Sequence, residues 1–187
     1  MTRHSASTRS DFARNRQLIF DSARRLFAER PEDEVQLQHV AAAAGIGRAT
    51  LFRHIGSKQS LVTAIYRARM VDIEAVATRA LACPDPWDGI ELLFREVVRM
   101  AHEDRGLWSY ALRRSEELER DPGRAAMVAK LAQVLERAQV AGYVRSGLTV
   151  SDLPALFGTG AQWGCVDDTS PLDLCIEILL QGIRSPD

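Results

Sequence analysis

The chain has 187 residues, of which 46% are apolar, so it is large enough to bury a hydrophobic core and is not a disordered polymer. Its formal net charge of −1 excludes a uniformly basic nucleic-acid coat, but residues 1–60 carry ten Lys or Arg against six Asp or Glu, whereas residues 61–187 carry fourteen against nineteen. Three scattered cysteines without C-x-x-C spacing, and the lack of a long apolar run, argue against a disulfide framework, a signal peptide and a membrane span, so we expect a cytoplasmic protein.

Apolar residues recur every three or four positions almost throughout, and no segment alternates as a strand does. The sequence therefore predicts an all-α protein of about nine helices. In chain order these cover about residues 11–29, 37–44, 48–55, 58–81, 87–104, 107–119, 122–141, 151–164 and 171–183. Residues 1–10, rich in Ser, Thr and Arg, are predicted to form a flexible basic arm.

The stretch VAAAAGIGRATLFRHI predicts two short helices joined by a glycine-containing turn, which is the pattern of a helix-turn-helix. The four alanines allow the helices to cross closely. The apolar residues that are spaced to meet beneath the turn are Val40, Ile46, Leu51 and Ile55. The residues left to face outward on the second helix are Arg48, Ala49, Thr50, Arg53 and His54.

These outward residues suit the major groove of DNA. An arginine such as Arg48 can donate to guanine O6 and N7 together, and Thr50 can offer a hydroxyl to a phosphate or a methyl group to thymine. Lys58 begins the next helix, where its ammonium and the first backbone amides can hold a phosphate. A helical hairpin whose charges are merely solvated would show the same short pattern.

The segments LIFDSARRLFAER and VAAAAGIGRATLFRHIGSKQSLV resemble the DNA-binding domain of the TetR family of bacterial transcriptional regulators. The resemblance covers about residues 14–66. It implies a recognition helix near residues 48–54, a two-fold dimer, and a C-terminal domain that binds a small molecule and thereby weakens DNA binding. Residues 1–56 would then form the DNA-binding domain, and residues 57–187 the effector-binding and dimerisation domain. The expected DNA-binding residues are Gln36, Gln38, Arg48, Ala49, Thr50, Phe52, Arg53, His54 and Lys58.

The chain departs from the family pattern at Gln36, Gly47, Phe52 and Ile55, where relatives usually carry Ser or Thr, Ser or Thr, Tyr, and Phe. Phe52 matters most, because the family tyrosine donates its hydroxyl to a phosphate. The phenylalanine ring is therefore either packed in the core or placed against sugars and thymine methyl groups. The residues expected to supply phosphate or minor-groove contacts in its stead are Arg9, Arg14 and Arg16.

The C-terminal part holds large apolar side chains, several with polar tips, that are able to line an effector cavity. They are Phe94, Met100, His102, Trp108, Tyr110, Met127, Leu131 and Trp163. Residues at helical spacing are usually core, so each of them has that simpler explanation.

The last two predicted helices carry more apolar residues than one neighbouring helix covers, including Leu174, Ile178 and Leu180. We expect a homodimer to form there, with packing of the protomer core as the alternative. The residues assigned to this interface are Leu156, Gly160, Leu172, Cys175, Ile176, Leu179 and Ile183.

Catalytic and metal sites find no support in the sequence. The run HED at 102–104 lacks a second His at helical spacing, and no Cys has a recognisable base. We therefore expect no cofactor and no metal. The sequence predicts a homodimeric repressor that binds a pseudo-palindromic operator and is released by an organic effector. A helical ligand-binding or interaction protein that no longer recognises an operator, and a small helical enzyme, are the alternatives.

Overall fold

The computed structural model describes the backbone of residues 4–30, 34–106, 108, 121–163 and 170–186, and the side chains of these except at 4–13, 160–163 and 170–171. The eight helices within these ranges are α1 (His4–Glu29), α2 (Leu37–Ala43), α3 (Arg48–Ile55), α4 (Lys58–Ala82), α5 (Pro86–Glu103), α6 (Pro122–Val140), α7 (Leu153–Trp163) and α8 (Ser170–Ile183). The described residues contain no strand, so the predicted all-α class is confirmed.

The chain divides into two compact units, unit 1 (Met1–Tyr66) and unit 2 (Arg67–Asp187), and the division falls within α4. In unit 1, α1 packs against α2, and α2 packs against α3. Their buried side chains, together with those of the first turns of α4, form the unit's core. This core consists of Ile19, Phe20, Ala23, Phe27, Val35, Val40, Ala41, Leu51, Leu61, Val62 and Ile65.

The α2–α3 turn is closed by backbone hydrogen bonds that require a left-handed residue. The N–H of Ile46 donates to the carbonyl of Ala41 at 3.1 Å, and the N–H of Gly45 donates to that of Ala42 at 3.2 Å. This is a Schellman motif, with Gly45 at φ +66°. Since only glycine adopts that conformation without strain, Gly45 determines the direction in which α3 leaves the turn.

In unit 2, α5 is the central helix and packs against α6, α7 and α8. Its buried side chains include Ile90, Leu93 and Phe94, and the ring of Phe94 meets that of Phe157 on α7 edge-on, with centroids 5.2 Å apart. Such an aromatic pair adds about 0.5–1.5 kcal/mol to the stabilisation from burial.

Asp-Pro pairs begin α5 and α6, as their chemistry predicts. Asp85 accepts from the N–H of Trp87 at 2.7 Å and Asp121 accepts from that of Gly123 at 3.0 Å, each followed by proline at the first helical position.

Near the end of the chain, the backbone N–H of Ser185 donates to the carbonyl of Tyr143 at 2.9 Å. This bond pairs the C-terminal segment with the loop after α6.

The predicted helix limits agree with the observed ones to within two residues, with two exceptions. α1 begins at His4 instead of about residue 11, because no proline or glycine interrupts residues 4–29; residues 4–10, expected in the flexible arm, are thus helical. The helix predicted at 107–119 lies outside the described residues, apart from Trp108. The buried stripe of α1 runs along Ile19, Ala23 and Phe27, and the neighbouring Leu18 is exposed.

Candidate nucleic-acid interface

The outer face of α3 carries the residues that the sequence assigns to DNA. Leu51 is fully buried, so the opposite side of the helix faces solvent. Arg48, Ala49, Phe52 and Arg53 are exposed on that side, whereas Thr50, His54 and Lys58 are half-buried. The Nη2 of Arg53 donates to the hydroxyl of Thr50 at 3.3 Å.

A chain of hydrogen bonds connects the exposed ends of α2 and α3. Arg48 donates from Nη2 to Oε1 of Gln38 at 2.7 Å, and Gln38 donates from Nε2 to Oε1 of Gln36 at 2.9 Å. The backbone N–H of Gln36 in turn donates to Nδ1 of His39 at 3.3 Å, so a histidine completes the cap for which relatives use Ser or Thr. The sequence identified Gln36, Gln38 and Arg48 individually but not this connection.

The ring of Phe52 is 51% exposed and lies on the same side of α3 as Arg48 and Arg53. Of the two placements left open by the sequence, packing in the core is thus excluded for the free protein. An exposed apolar ring among arginines is suited to sugar edges and thymine methyl groups.

The beginning of α4 offers backbone donors close to Lys58. Ser57 precedes the helix and caps it, since its hydroxyl accepts from the N–H of Ser60 at 3.0 Å. Among the arginines suggested as substitutes for the missing tyrosine hydroxyl, Arg16 places its guanidinium 5.2 Å from the ring centre of Phe20. Arg14 is exposed, and the side chain of Arg9 lies outside the described residues.

Unit 2 holds two buried ring nitrogens without a hydrogen-bond partner among the described residues, Nδ1 of His102 and Nε1 of Trp108. Both residues belong to the predicted effector site. Of the others, Phe94, Met127 and Leu131 are buried, and Met100 is half-buried. Tyr110 and the side chain of Trp163 lie outside the described residues.

The end of α5 holds a buried ion pair that the sequence did not predict. Arg69 donates from Nε to Asp104 at 2.5 Å, and its guanidinium also lies within 3.5 Å of Asp72 and Glu103. Burial alone would lower the pKa of Arg69, but the hydrogen bond and the carboxylate charges outweigh it and raise that pKa above its usual value. Arg69 and Asp104 are 35 positions apart, so no local pattern could have revealed their pairing.

The residues assigned to the dimer interface divide into two groups. Cys175, Ile176 and Ile183 are buried within the protomer, where α8 packs against α5 and α7. Leu156, Leu172 and Leu179 are half-buried. For Gly160 the structure describes the backbone but not the burial. Among the described side chains of α8, the large apolar ones that are exposed are Leu174 and Ile178, one helical turn apart, with exposed fractions of 56% and 50%.

No helix in the described ranges combines the length and apolar character needed to cross a bilayer. Likewise, no group of three or more His, Cys, Asp or Glu side chains within those ranges is arranged to hold a metal ion.

α3 is short and carries exposed arginines, and a tight glycine turn joins it to α2, which packs on α1. This arrangement is that of a helix-turn-helix DNA-binding protein. Residues 19–65 match the model of bacterial regulatory proteins of the tetR family, and residues 85–185, more than half of the chain, match the C-terminal domain of SbtR-like transcriptional regulators. The chain belongs to the TetR family of transcriptional regulators, as its sequence predicts.

Individual relatives agree with this assignment. The HTH-type transcriptional repressor Rv1474c of Mycobacterium tuberculosis is 33% identical over 101 residues, which are 49% of this chain and 53% of the repressor. The chain thus spans about half the length of that relative. A TetR regulatory protein from Mycobacterium vanbaalenii is 29% identical, with a TM-score of 0.65 over 95% of this chain and 99% of that structure. AibR, in complex with isovaleryl coenzyme A and operator DNA, shares the fold at 17% identity, with a TM-score of 0.67 over 92% of this chain and all of AibR.

Proposed function

We propose that this protein is a repressor that binds a pseudo-palindromic operator as a homodimer and releases it when a small organic effector binds unit 2. The observation that carries the DNA half is the exposed face of α3, where Arg48 and Arg53 flank Phe52 while Leu51 anchors the helix in the core. The similarity to a repressor from Mycobacterium tuberculosis supports the sign of regulation. A cytoplasmic location is part of this proposal, since the operator is the proposed partner.

A homodimer follows from the size of the recognition helix. α3 has eight residues and contacts only a few base pairs, so specificity requires a second α3 about 34–36 Å away, one turn of DNA along. The exposed pair Leu174 and Ile178 supports α8 as the contact between protomers, because burying two large apolar side chains stabilises an association. The half-buried Leu156, Leu172 and Leu179 would border this contact, with Gly160 allowing close approach.

The ring nitrogens of His102 and Trp108, which are buried and have no hydrogen-bond partner among the described residues, support the effector half of the proposal. The indole N–H of Trp108 is a donor only, and a buried donor without a partner costs about 1–3 kcal/mol. A ligand with a hydrogen-bond acceptor, such as a carbonyl or carboxylate oxygen, would remove that cost. We therefore expect an effector with an apolar body, facing residues such as Met100, and at least one acceptor near His102 and Trp108.

Selection of binding sites from a pool of random-sequence duplexes tests the DNA half directly. We expect enrichment of an inverted repeat bound by two protomers, with an affinity that falls as salt rises. The double variant Arg48→Ala/Arg53→Ala should lose enrichment, whereas Gln17→Ala, an exposed substitution on α1, should retain it. Failure of the wild type to enrich any sequence would instead favour a protein that no longer recognises an operator.

The effector half requires reciprocity. Small organic acids and thioesters can be screened by tryptophan fluorescence with the wild type and with Trp108→Phe, which keeps an aromatic ring but lacks the indole N–H. A true effector should weaken DNA binding by the same factor by which DNA weakens effector binding. A compound that binds without this reciprocal change is not the effector, and conversion of a bound compound to product would support the enzyme alternative.

A further inference from the structure

The hydrogen bonds from Arg48 to Gln38 and from Gln38 to Gln36 join side chains that are all exposed to solvent. The bond from Arg48 connects α3 to α2 across ten positions of sequence. Exposed side-chain hydrogen bonds contribute little to folding stability, because water replaces each partner at small cost. The helices are already held by the Schellman turn and by the buried Val40 and Leu51. A purely structural role therefore explains this arrangement poorly.

The chemistry of the guanidinium shows what the arrangement leaves free. Arginine has five N–H donors, four of which form two parallel pairs, one from Nε and Nη2 and the other from Nη1 and Nη2. Each of the two Nη2 hydrogens belongs to a different pair. Whichever of them Gln38 accepts, one complete pair of Arg48 remains able to bind O6 and N7 of a guanine. The contact with Gln38 thus restricts the guanidinium without consuming its capacity for recognition.

We propose that Gln38 is a positioning residue that holds the guanidinium of Arg48 for recognition of a guanine, and that Gln36 fixes the orientation of the Gln38 amide. This inference rests on the proposed operator binding. An arginine that is already restrained loses less conformational freedom when it meets a base, and its donor pair points in a defined direction. Gln38 therefore contributes to discrimination between base pairs without contacting a base.

The alternative is that Gln38 itself recognises adenine, since a glutamine amide can bind adenine N6 and N7 together. Both ends of the amide already have partners, because Oε1 accepts from Arg48 and Nε2 donates to Gln36. The oxygen keeps a second lone pair and the nitrogen a second hydrogen, but an amide bonded to the protein at both ends cannot turn freely to meet a base. The observed pairing therefore favours positioning over direct recognition.

A comparison of single base-pair replacements in the selected duplex tests the proposal. Affinities are measured for the wild type, Gln38→Ala, Arg48→Lys, the double variant, and the control Gln17→Ala, which removes an exposed amide that donates to Asp21 of the same helix. Arg48→Lys keeps the charge but not the parallel donor pair, so discrimination at one G·C position should fall about tenfold or more. Gln38→Ala should reduce discrimination at the same position by about three- to tenfold with an unchanged salt slope, and the double variant should equal Arg48→Lys alone.

Replacing that guanine by 7-deazaguanine removes the N7 acceptor. This replacement should lower the DNA affinity of the wild type by a larger factor than it lowers that of Gln38→Ala. The proposal is overturned if Gln38→Ala weakens all duplexes equally, if its losses add to those of Arg48→Lys, or if they fall at another base pair. A wild type that enriches no duplex would count against operator binding itself, so the two failures are distinguishable.

Discussion

Leu51 and Phe52 are neighbours in α3 with opposite environments: the side chain of Leu51 is 0% exposed, whereas the ring of Phe52 is 51% exposed. The larger apolar residue therefore lies on the outside of the helix, between residues assigned to DNA. Folding alone does not favour this placement. Under the proposed function, the ring contacts DNA in the complex.

Phe52→Tyr should leave the stability of the free protein within about 0.5 kcal/mol of the wild type, because a hydroxyl on an exposed ring stays hydrated. It should tighten binding to DNA up to about tenfold, since a hydrogen bond to a phosphate is worth about 1.5–3 kcal/mol before water is displaced. The gain should be similar for all sequences, because phosphates carry no base information. A thermal melt and a binding titration measure both quantities, and destabilisation by about 1 kcal/mol or more would contradict the exposed placement.

Exposure along α8 predicts which substitutions separate protomers and which unfold them. Leu174→Glu and Ile178→Glu should give folded monomers with much weaker operator binding, because both side chains are exposed in the protomer. Ile176→Glu should instead unfold unit 2, since that side chain is fully buried and a buried unpaired charge is costly. Sedimentation and circular dichroism distinguish these outcomes. Unchanged dimers of the Leu174 and Ile178 variants would show that α8 is not the interface.

Gly89→Ala should destabilise the protein by about 2 kcal/mol, because an added Cβ would lie 2.6 Å from the carbonyl oxygen of Ala80. The close approach of α4 and α5 thus depends on the missing side chain. Gly147→Ala is the matched control, since nothing lies within 4 Å of the added methyl group. Urea unfolding of the two variants should differ clearly, and equal stabilities would mean that the helices separate at no cost.

The pairing of Asp121 with Arg67 predicts a pH dependence of stability. The hydrogen bond from Arg67, aided by the N–H of Gly123, holds the pKa of Asp121 below its usual value of about 3.9. A lowered pKa in the folded state means that the stabilisation is present above about pH 4 and is lost as the pH falls through the folded-state pKa. Asp121→Asn keeps a capping oxygen but not the charge. Its deficit relative to the wild type should therefore be visible in urea unfolding at pH 6 and shrink at pH 3, whereas a constant deficit would exclude the charge pairing.

Local chemistry made the helix limits and the helix-turn-helix readable from the sequence. Asp-Pro pairs at 85–86 and 121–122 cap and begin helices, and Gly45 and Gly56 end them in conformations with positive φ. Each of these signals acts within a few residues, where backbone hydrogen bonds and steric limits decide the outcome. The same short-range pattern carried the resemblance to the TetR family.

For a helix that is apolar on most of its circumference, only the tertiary structure decided which side is buried. α8 is apolar on most of its circumference, so its sequence does not distinguish Ile176, which is buried, from Ile178, which is half exposed. Pairings between elements were equally hidden, because the contacts of Arg48 with Gln38 and of Arg69 with Asp104 depend on how helices cross. A periodic pattern specifies the positions of residues around one helix axis, whereas burial and pairing depend on the neighbours that packing brings to that axis.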